Sequence, residues 1–171
     1  MEHSQIIDRF VASLDRLEVG WSRVPESGVA AALEEVVEGP AVGAPLSVLG
    51  TGTLATLGVD VDPTPRQIVA ARTGVTGARL GIADYGSVVI EGRPDATEAA
   101  SLFPERHVAV LRAADVVPDM TAALEHLGPL LREEAATAIL ATGPSATADM
   151  GALVKGAHGP KAVHVLLVDP D

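Results

Sequence analysis

The chain has 171 residues, of which 47% are hydrophobic and 2% aromatic, and its formal net charge at pH 7 is −11. A chain of this length usually forms one domain with a continuous core, and no apolar run reaches the roughly 18 residues of a membrane-spanning helix. Strong acidity disfavours binding to nucleic-acid phosphates and anionic membranes, and the scarcity of aromatic rings disfavours base stacking. We expect one domain over residues 1–171, with no nucleic-acid partner and no membrane span.

The chain contains no cysteine, which excludes disulfides, a thiolate nucleophile and a cysteine-ligated iron–sulfur cluster held by this chain alone. Of its 12 basic residues only Lys155 and Lys161 are lysines. An acidic, lysine-poor surface favours a halophilic source, because molar salt screens the self-repulsion, although an ordinary acidic cytosolic protein is the alternative. The opening residues show no basic segment followed by an apolar one, so a cytoplasmic location is expected.

The first 58 residues predict two helices and then an irregular region. Apolar residues at helical spacing predict an amphipathic helix over residues 4–17. Residues 20–24 follow as a short strand, and residues 26–39 predict a second helix that Gly39 ends. The Gly- and Pro-rich residues 40–58 predict loops and short strands.

The middle of the chain predicts a helix followed by a pair of strands. Thr64 is placed to cap a helix that begins at Pro65 and ends at Gly74. Residues 78–84 and 86–92 are strand-like and adjoin the pair Tyr85–Gly86, which is typical of a tight hairpin or bulged corner.

The last third alternates helices with strands. The pattern predicts a helix at 96–103, a strand at 106–113, a helix at 118–135 with a break near Gly128–Pro129, a strand at 137–143 buried on both faces, and a closing strand at 161–170 of the same kind. Strands alternating with helices at short intervals predict a three-layer α/β domain with a mainly parallel sheet and one antiparallel excursion.

The string ATGPSATAD follows the apolar run TAIL, at the place where open α/β sheets bind ligands. Gly143 permits a turn, and Ser145, Thr147 and Asp149 supply oxygens, so the loop is predicted to bind a polar group. The alternative is that the hydroxyls only cap the next turn.

A second loop, GAHGP, places His158 beside Gly159. This histidine could donate a proton or bind an anion, or it could simply bond a neighbouring carbonyl and fix the loop. Asp149, His158 and His164 match no standard zinc spacing, so no metal site is predicted.

A third candidate follows the strand-like run at 78–84. Asp84 ends that run, and Gly86 and Ser87 open the next one. A carboxylate at a strand end is placed for acid, base or nucleophilic work, so Asp84 and His158 are the candidate catalytic residues. The alternative is an aspartate that bonds its own turn.

Four strings in order, GVTGARLGIADYGSVVI, SLFPERHVAVLRAADVVP, ATGPSATADM and GAHGPKAVHVLLVD, resemble successive blocks of the LUD-domain family. The resemblance covers residues 74–169 as a family-like core, while residues 1–40 form a helical part that is only generally similar. It implies a fold like that of the glucosamine-6-phosphate deaminase, ribose-5-phosphate isomerase and CoA-transferase superfamily. It also implies a role in oxidising L-lactate to pyruvate, with the iron–sulfur clusters carried by partner proteins and no cofactor on this chain.

The sequence departs from the family pattern at three places. The family commonly has Glu-Thr-Gly-Thr where this chain has Asp84 to Ser87, and an arginine where this chain has Ala146. It also often has an arginine before the Ser-Leu-Leu-Pro block, where this chain has alanines and Glu98. Loss of these guanidiniums would weaken bidentate binding of a carboxylate such as lactate.

Three functional hypotheses follow from the sequence. The first is a subunit of a lactate-oxidising assembly, with a small-anion or metabolite site at the sheet's carboxyl edge formed by the loops at Asp84, Ser145 and His158. The second is a stand-alone superfamily enzyme that uses Asp84 on an acyl-CoA or sugar phosphate. The third is a non-catalytic interaction module.

Overall fold

The computed structural model describes residues 2–133, 137–149 and 151–171. The helices in the described part are α1 His3–Arg16, α2 Val29–Val36, α3 Thr51–Thr56, α4 Pro65–Ala70, α5 Thr97–Leu102 and α6 Met120–Glu133. The strands are β1 Gly20–Pro25, β2 Ala41–Gly43, β3 Val59–Asp60, β4 Thr73–Gly77, β5 Leu80–Ile82, β6 Ser87–Gly92, β7 Arg106–Arg112, β8 Val116–Val117, β9 Thr137–Thr142, β10 Ala146–Thr147, β11 Val154–Lys155 and β12 Ala162–Asp169.

The main sheet has six parallel strands in the order β1-β12-β7-β4-β2-β3. Its central strands are apolar on both faces because helices cover both. On one face, Phe10 and Leu14 of α1 pack against Leu111 of β7. On the other face, Leu33 of α2 and Leu54 of α3 pack against the opposite side of the same strands. This three-layer α/β architecture with a mainly parallel sheet confirms the predicted fold class.

A second, four-stranded sheet has the order β8-β5-β6-β9 and is mixed, since β6 runs antiparallel to both β5 and β9. Helix α6 covers one of its faces through Leu127 and Leu130. The other face contributes Val88 and Ile90 to the cluster around Phe10, which is fully buried. Helix α1 therefore lies between the two sheets and joins their cores. A two-stranded ribbon of β10 and β11 completes the described elements.

The close approach of α5 to β4 explains why residue 74, which the sequence pattern predicts to be a helix end, is a glycine. A Cβ at Gly74 would lie 1.7 Å from the carbonyl oxygen of Ala100 in α5. Gly74 is the second residue of β4, and the helix capped by Thr64 ends earlier, at Ala70. The predicted helix end at Gly74 is therefore wrong, because this glycine admits α5 against the sheet rather than closing α4.

A buried histidine lies among the apolar side chains of the main sheet. His107 of β7 is 1% exposed, and its Nε2 shares a hydrogen bond of 2.8 Å with the hydroxyl of Thr76 on β4. Burial lowers the pKa of the His107 imidazole to about 4, because the charged form would lose its hydration.

Three other expectations differ from the structure. The irregular region at 40–58 contains helix α3 as well as β2. Helix α6 continues through Pro129, whose exposed position lets water solvate the carbonyl that loses its partner. Strand β9 is not buried on both faces: it is an edge strand of the mixed sheet, and Leu140 is 42% exposed.

Candidate functional site

A cleft of about 480 Å³ opens at the carboxyl edge of the main sheet. It is bounded by the loop after β2 and by the segments in which β4, β6 and β7 end. Ligand sites of open α/β sheets lie at this edge, and the volume is within the range of small-molecule sites. The cleft is therefore the candidate functional site.

Three arginines line the cleft, one from each of three separate segments. Arg79 follows β4, Arg93 follows β6, and Arg112 is the last residue of β7. Gly77 and Val110 are register partners in the parallel sheet. Arg79 and Arg112 each lie two residues beyond that pair, so both occupy the same short length of sheet edge.

The backbone at Arg79 joins the two sheets. The amide of Ala78 donates to the carbonyl of Val110 in the main sheet, and the amide of Arg79 donates to the carbonyl of Val89 in the mixed sheet, both at 2.8 Å. These two bonds fix the backbone from which the Arg79 side chain extends at the edge of the cleft.

The three guanidiniums differ in how closely an acidic side chain of the protein approaches them. Arg93 is paired with Glu91 at 3.1 Å, whereas Arg112 approaches Glu26 only to 3.8 Å. Among the side chains that the structure describes, no carboxylate lies within 4.0 Å of Arg79. Arg79 and Arg112 are therefore the groups best able to bind an incoming anion.

The sequence-predicted candidate Asp84 lies away from this cleft and contacts α1. Its Oδ1 is 3.2 Å from Nε of Arg9, and Arg9 also donates to the carbonyl of Pro118. Next to it, the hydroxyl of Ser13 donates to the carbonyl of Ala83 at 2.7 Å. Asp84 thus helps to attach α1 to the mixed sheet, and its role in catalysis stays a prediction.

Gly86, Ser87 and Gly143 meet where β6 pairs with β9. The hydroxyl of Ser87 is buried and bonds that of Thr142 at 2.7 Å. Gly86 and Gly143 have positive φ angles of 64° and 69°, and both lie against Leu17. Glycine is needed at these turns because left-handed backbone is costly for other residues.

The other predicted loop residues are brought together by backbone contacts. The amide of His158 donates to the hydroxyl of Ser145 at 3.2 Å, and Gly159 lies against Ser145. The hydroxyl of Thr147 accepts from the amide of Asp149, which is exposed. The backbone amide of His158, and not its imidazole, makes the contact that fixes this loop. The role of the His158 side chain in proton donation stays a prediction.

This loop cluster lies at the amino edge of the main sheet. The amide of Ser145 donates to the carbonyl of Pro160, and that of Lys161 to the carbonyl of Glu105, just before β12 and β7 begin. The expected position at the carboxyl edge is wrong, because β9 belongs to the mixed sheet and runs antiparallel to β6. The sequence reasoning missed Arg79, Arg93 and Arg112, although each follows or ends a strand-like run.

The described residues contain no group of three or more His, Asp or Glu side chains placed to hold a metal ion. His164, considered as a metal ligand, instead shares a hydrogen bond of 2.9 Å with Ser22. Burial first, and the neighbouring charge of Arg106 second, lower the pKa of His164. None of the described helices is long and apolar enough to span a bilayer.

Comparison with known proteins identifies relatives of part of the chain. Lactate utilization protein C of Bacillus subtilis strain 168 is 32% identical over 108 residues, which are 58% of this chain and 43% of that protein. Lactate utilization protein C of Deinococcus radiodurans is 31% identical over 120 residues, 66% of this chain and 56% of that protein. The YkgG protein of Escherichia coli K12 is 32% identical over 108 residues, 60% and 47% of the two chains. The chain spans about half the length of these curated relatives.

The fold is also similar to a crystal structure of a DUF162 family protein from Deinococcus radiodurans. The TM-score is 0.74 at 19% sequence identity, with 98% of this chain and 99% of that chain covered. This likeness supports the architecture described above. A family model for the LUD domain matches residues 56–168, which is more than half of the chain. As the four sequence blocks predict, the chain belongs to the LUD-domain family.

Proposed function

We propose that this chain acts in lactate utilization as a subunit that binds a small carboxylate in the cleft at the carboxyl edge. Membership of the LUD-domain family and the names of the relatives, lactate utilization protein C, support the general role. The observation that carries the proposal is the pair Arg79 and Arg112, which lie together at the sheet edge with little internal pairing. A guanidinium is well matched to a carboxylate because it offers two parallel N–H donors.

The proposal places the anion site elsewhere than the loops at Asp84, Ser145 and His158. The hydroxyl of Ser145 already accepts a bond from its own loop, and Asp84 is paired with Arg9. The cleft instead offers volume together with Arg112, which approaches Glu26 only to 3.8 Å, and Arg79, which has no described carboxylate within 4.0 Å.

We further propose that iron–sulfur partner proteins in the cytoplasm accept the electrons. Oxidation of L-lactate to pyruvate releases two electrons and two protons, and a chain without cysteine has no thiolates to ligate a cluster of its own. On this proposal the isolated chain binds lactate but does not oxidise it, and electrons leave the substrate only in the assembly. Oxidation of lactate by the pure chain would contradict the proposal that separate partner proteins accept the electrons.

Calorimetric titration of L-lactate into the pure protein tests the cleft. We expect Arg79→Gln and Arg112→Gln each to weaken binding about tenfold or more, because a charge-assisted bond is lost. The affinity of Arg112→Lys should lie between those of wild type and Arg112→Gln, because lysine keeps the positive charge but lacks the two parallel N–H donors of a guanidinium. Arg66→Gln, at an exposed arginine of α4 outside the cleft, is the matched control. Equal affinities of wild type and all of these variants for lactate would show that the cleft is not the lactate-binding site.

Affinity purification from lactate-grown cells of the source, at native salt, tests the partners. The expected result is co-purification of proteins rich in Cys-x-x-Cys motifs, with the iron–sulfur absorbance they carry. Recovery of the chain alone while such proteins are expressed would contradict the subunit role and leave only the small-molecule site.

A further inference from the structure

The lining of the cleft contains acceptor groups as well as arginines. Glu91, near the end of β6, is the least exposed charged side chain for which an ion pair is found, at 12% of its surface, and its carboxylate accepts from Arg93. Thr97 also lines the cleft and is 6% exposed. Its hydroxyl donates its proton to Asp95, so this hydroxyl can act toward a ligand only as an acceptor.

The charged residues of the cleft extend from two sides, and each side also carries a group of the opposite sign, Arg93 beside Glu91 and Asp115 shortly after Arg112. Arg79 and Arg112 extend from the edge of the main sheet, where β4 and β7 end. Glu91 extends from the mixed sheet, two residues beyond Val89, whose carbonyl accepts from the Arg79 amide. A ligand that fits both sides needs an anionic group and, close to it, a hydrogen-bond donor.

We propose that Glu91 is a specificity-determining residue, which makes the cleft select a 2-hydroxy acid over the corresponding 2-oxo acid. This inference rests on the proposed function of the cleft as a carboxylate site. The hydroxyl of a 2-hydroxy acid donates to the Glu91 carboxylate while the acid group lies between the arginines. A 2-oxo acid has no such proton, and its ketone oxygen sets lone pairs against those of Glu91. The cleft would thus hold the reduced substrate and release the oxidised product.

Calorimetric titration of three acids of equal carbon number tests this selection. L-Lactate has the hydroxyl, pyruvate has the ketone, and propionate has neither. Wild-type protein is expected to bind lactate about tenfold more tightly than pyruvate or propionate, which is the usual size of one bond to a charged group. The preference over propionate separates the hydroxyl bond from simple repulsion of the ketone.

Variants at Glu91 distinguish a selecting role from a structural one. Glu91→Gln replaces an acceptor-only group by an amide that also donates, so the lactate-to-pyruvate ratio should fall to about one or below it. Glu91→Asp keeps the carboxylate and should retain part of the preference. Glu34→Gln, at an exposed acid of α2 outside the cleft, should keep the wild-type ratio. Far-UV circular dichroism checks that each variant is folded, and the ratio of affinities is unaffected by loss of active protein.

The outcomes separate the two proposals. Equal affinity for lactate and pyruvate in wild type, with both weakened by Arg112→Gln, would leave the carboxylate site standing and overturn the role of Glu91. A wild-type preference that survives Glu91→Gln would also overturn it. If none of the three acids binds, the proposed function of the cleft fails, and the inference about Glu91 fails with it.

Discussion

The buried His107 should make the protein lose stability in mild acid, and the structure sets the size of the loss. Burial depresses the pKa of this imidazole from an ordinary 6.5 to about 4. Between these values the unfolded chain binds a proton that the folded chain does not, so stability is complete above pH 6.5 and falls as the pH falls. The slope for one such group is about 1.4 kcal/mol per pH unit, which sums to about 3 kcal/mol by pH 4.

Replacing the histidine isolates this contribution from those of the many carboxylates. His107→Gln keeps a polar partner for the Thr76 hydroxyl but has no proton to gain near pH 5. We expect the variant to be less stable than wild type at pH 7, because the imidazole fills its site better. The difference should shrink as the pH falls, since only wild type has the acid-linked loss.

Urea unfolding at several values between about pH 7 and pH 4.5 measures how the free energy of unfolding of wild type and of His107→Gln depends on pH. Trp21, the one tryptophan, is the fluorescent probe. The result to look for is a difference in free energy of unfolding that narrows by about 1 kcal/mol or more per pH unit. His126→Gln, at an exposed histidine of α6, should keep the steep wild-type loss because His107 remains. Parallel curves for wild type and His107→Gln would refute the argument from burial.

Two further predictions concern packing and the attachment of α1. Gly74→Ala should destabilise the protein by more than about 3 kcal/mol or prevent folding, since its Cβ would meet the Ala100 carbonyl at 1.7 Å. Gly52→Ala, where no described atom outside the backbone of α3 lies within 4 Å of the new Cβ, should be neutral or raise the melting temperature, and a thermal scan measures both variants. Asp84→Asn should cost at most about 1 kcal/mol, because its ion pair with Arg9 is partly exposed. It should leave lactate binding unchanged, and loss of binding would restore Asp84 as a site residue.

The sequence predicted the elements where local pattern and tertiary packing agree. The helix over 4–17 and the strands over 106–113 and 161–170 match α1, β7 and β12 because their apolar periodicity directly reflects the core they face. The pattern failed where a distant contact decides the structure. Gly74 reads as a helix end in the sequence, and only the position of α5 shows that it is a packing glycine.

The sequence predicts a small-anion site but not the residues that line the cleft. Ligands of open α/β sheets bind beyond the carboxyl ends of strands, and the sequence pattern assigns that position to the loop after the run that precedes Gly143. That run is β9, which belongs to the mixed sheet, and sheet membership depends on pairing that no local pattern reveals. Arg79 and Arg112 are 33 residues apart in the sequence, and only the register of β4 with β7 brings them to the same cleft.

The distribution of paired cations explains why the carboxyl edge, rather than the amino edge, is suited to an anion. At the amino edge, Glu38 binds both Arg72 and Arg106, at 3.1 and 2.9 Å, and Lys161 binds Glu105 at 2.9 Å. The hydrogen bond from Lys161 is the main cause that lowers the pKa of the Glu105 carboxyl, which keeps this pair charged. A ligand carboxylate arriving near His158 would have to compete with these resident acids. In the cleft, Arg93 is paired with Glu91 at 3.1 Å and Arg112 lies 3.8 Å from Glu26, whereas no carboxylate among the described side chains lies within 4.0 Å of Arg79. In a strongly acidic protein the binding of a small anion is therefore least opposed at Arg79.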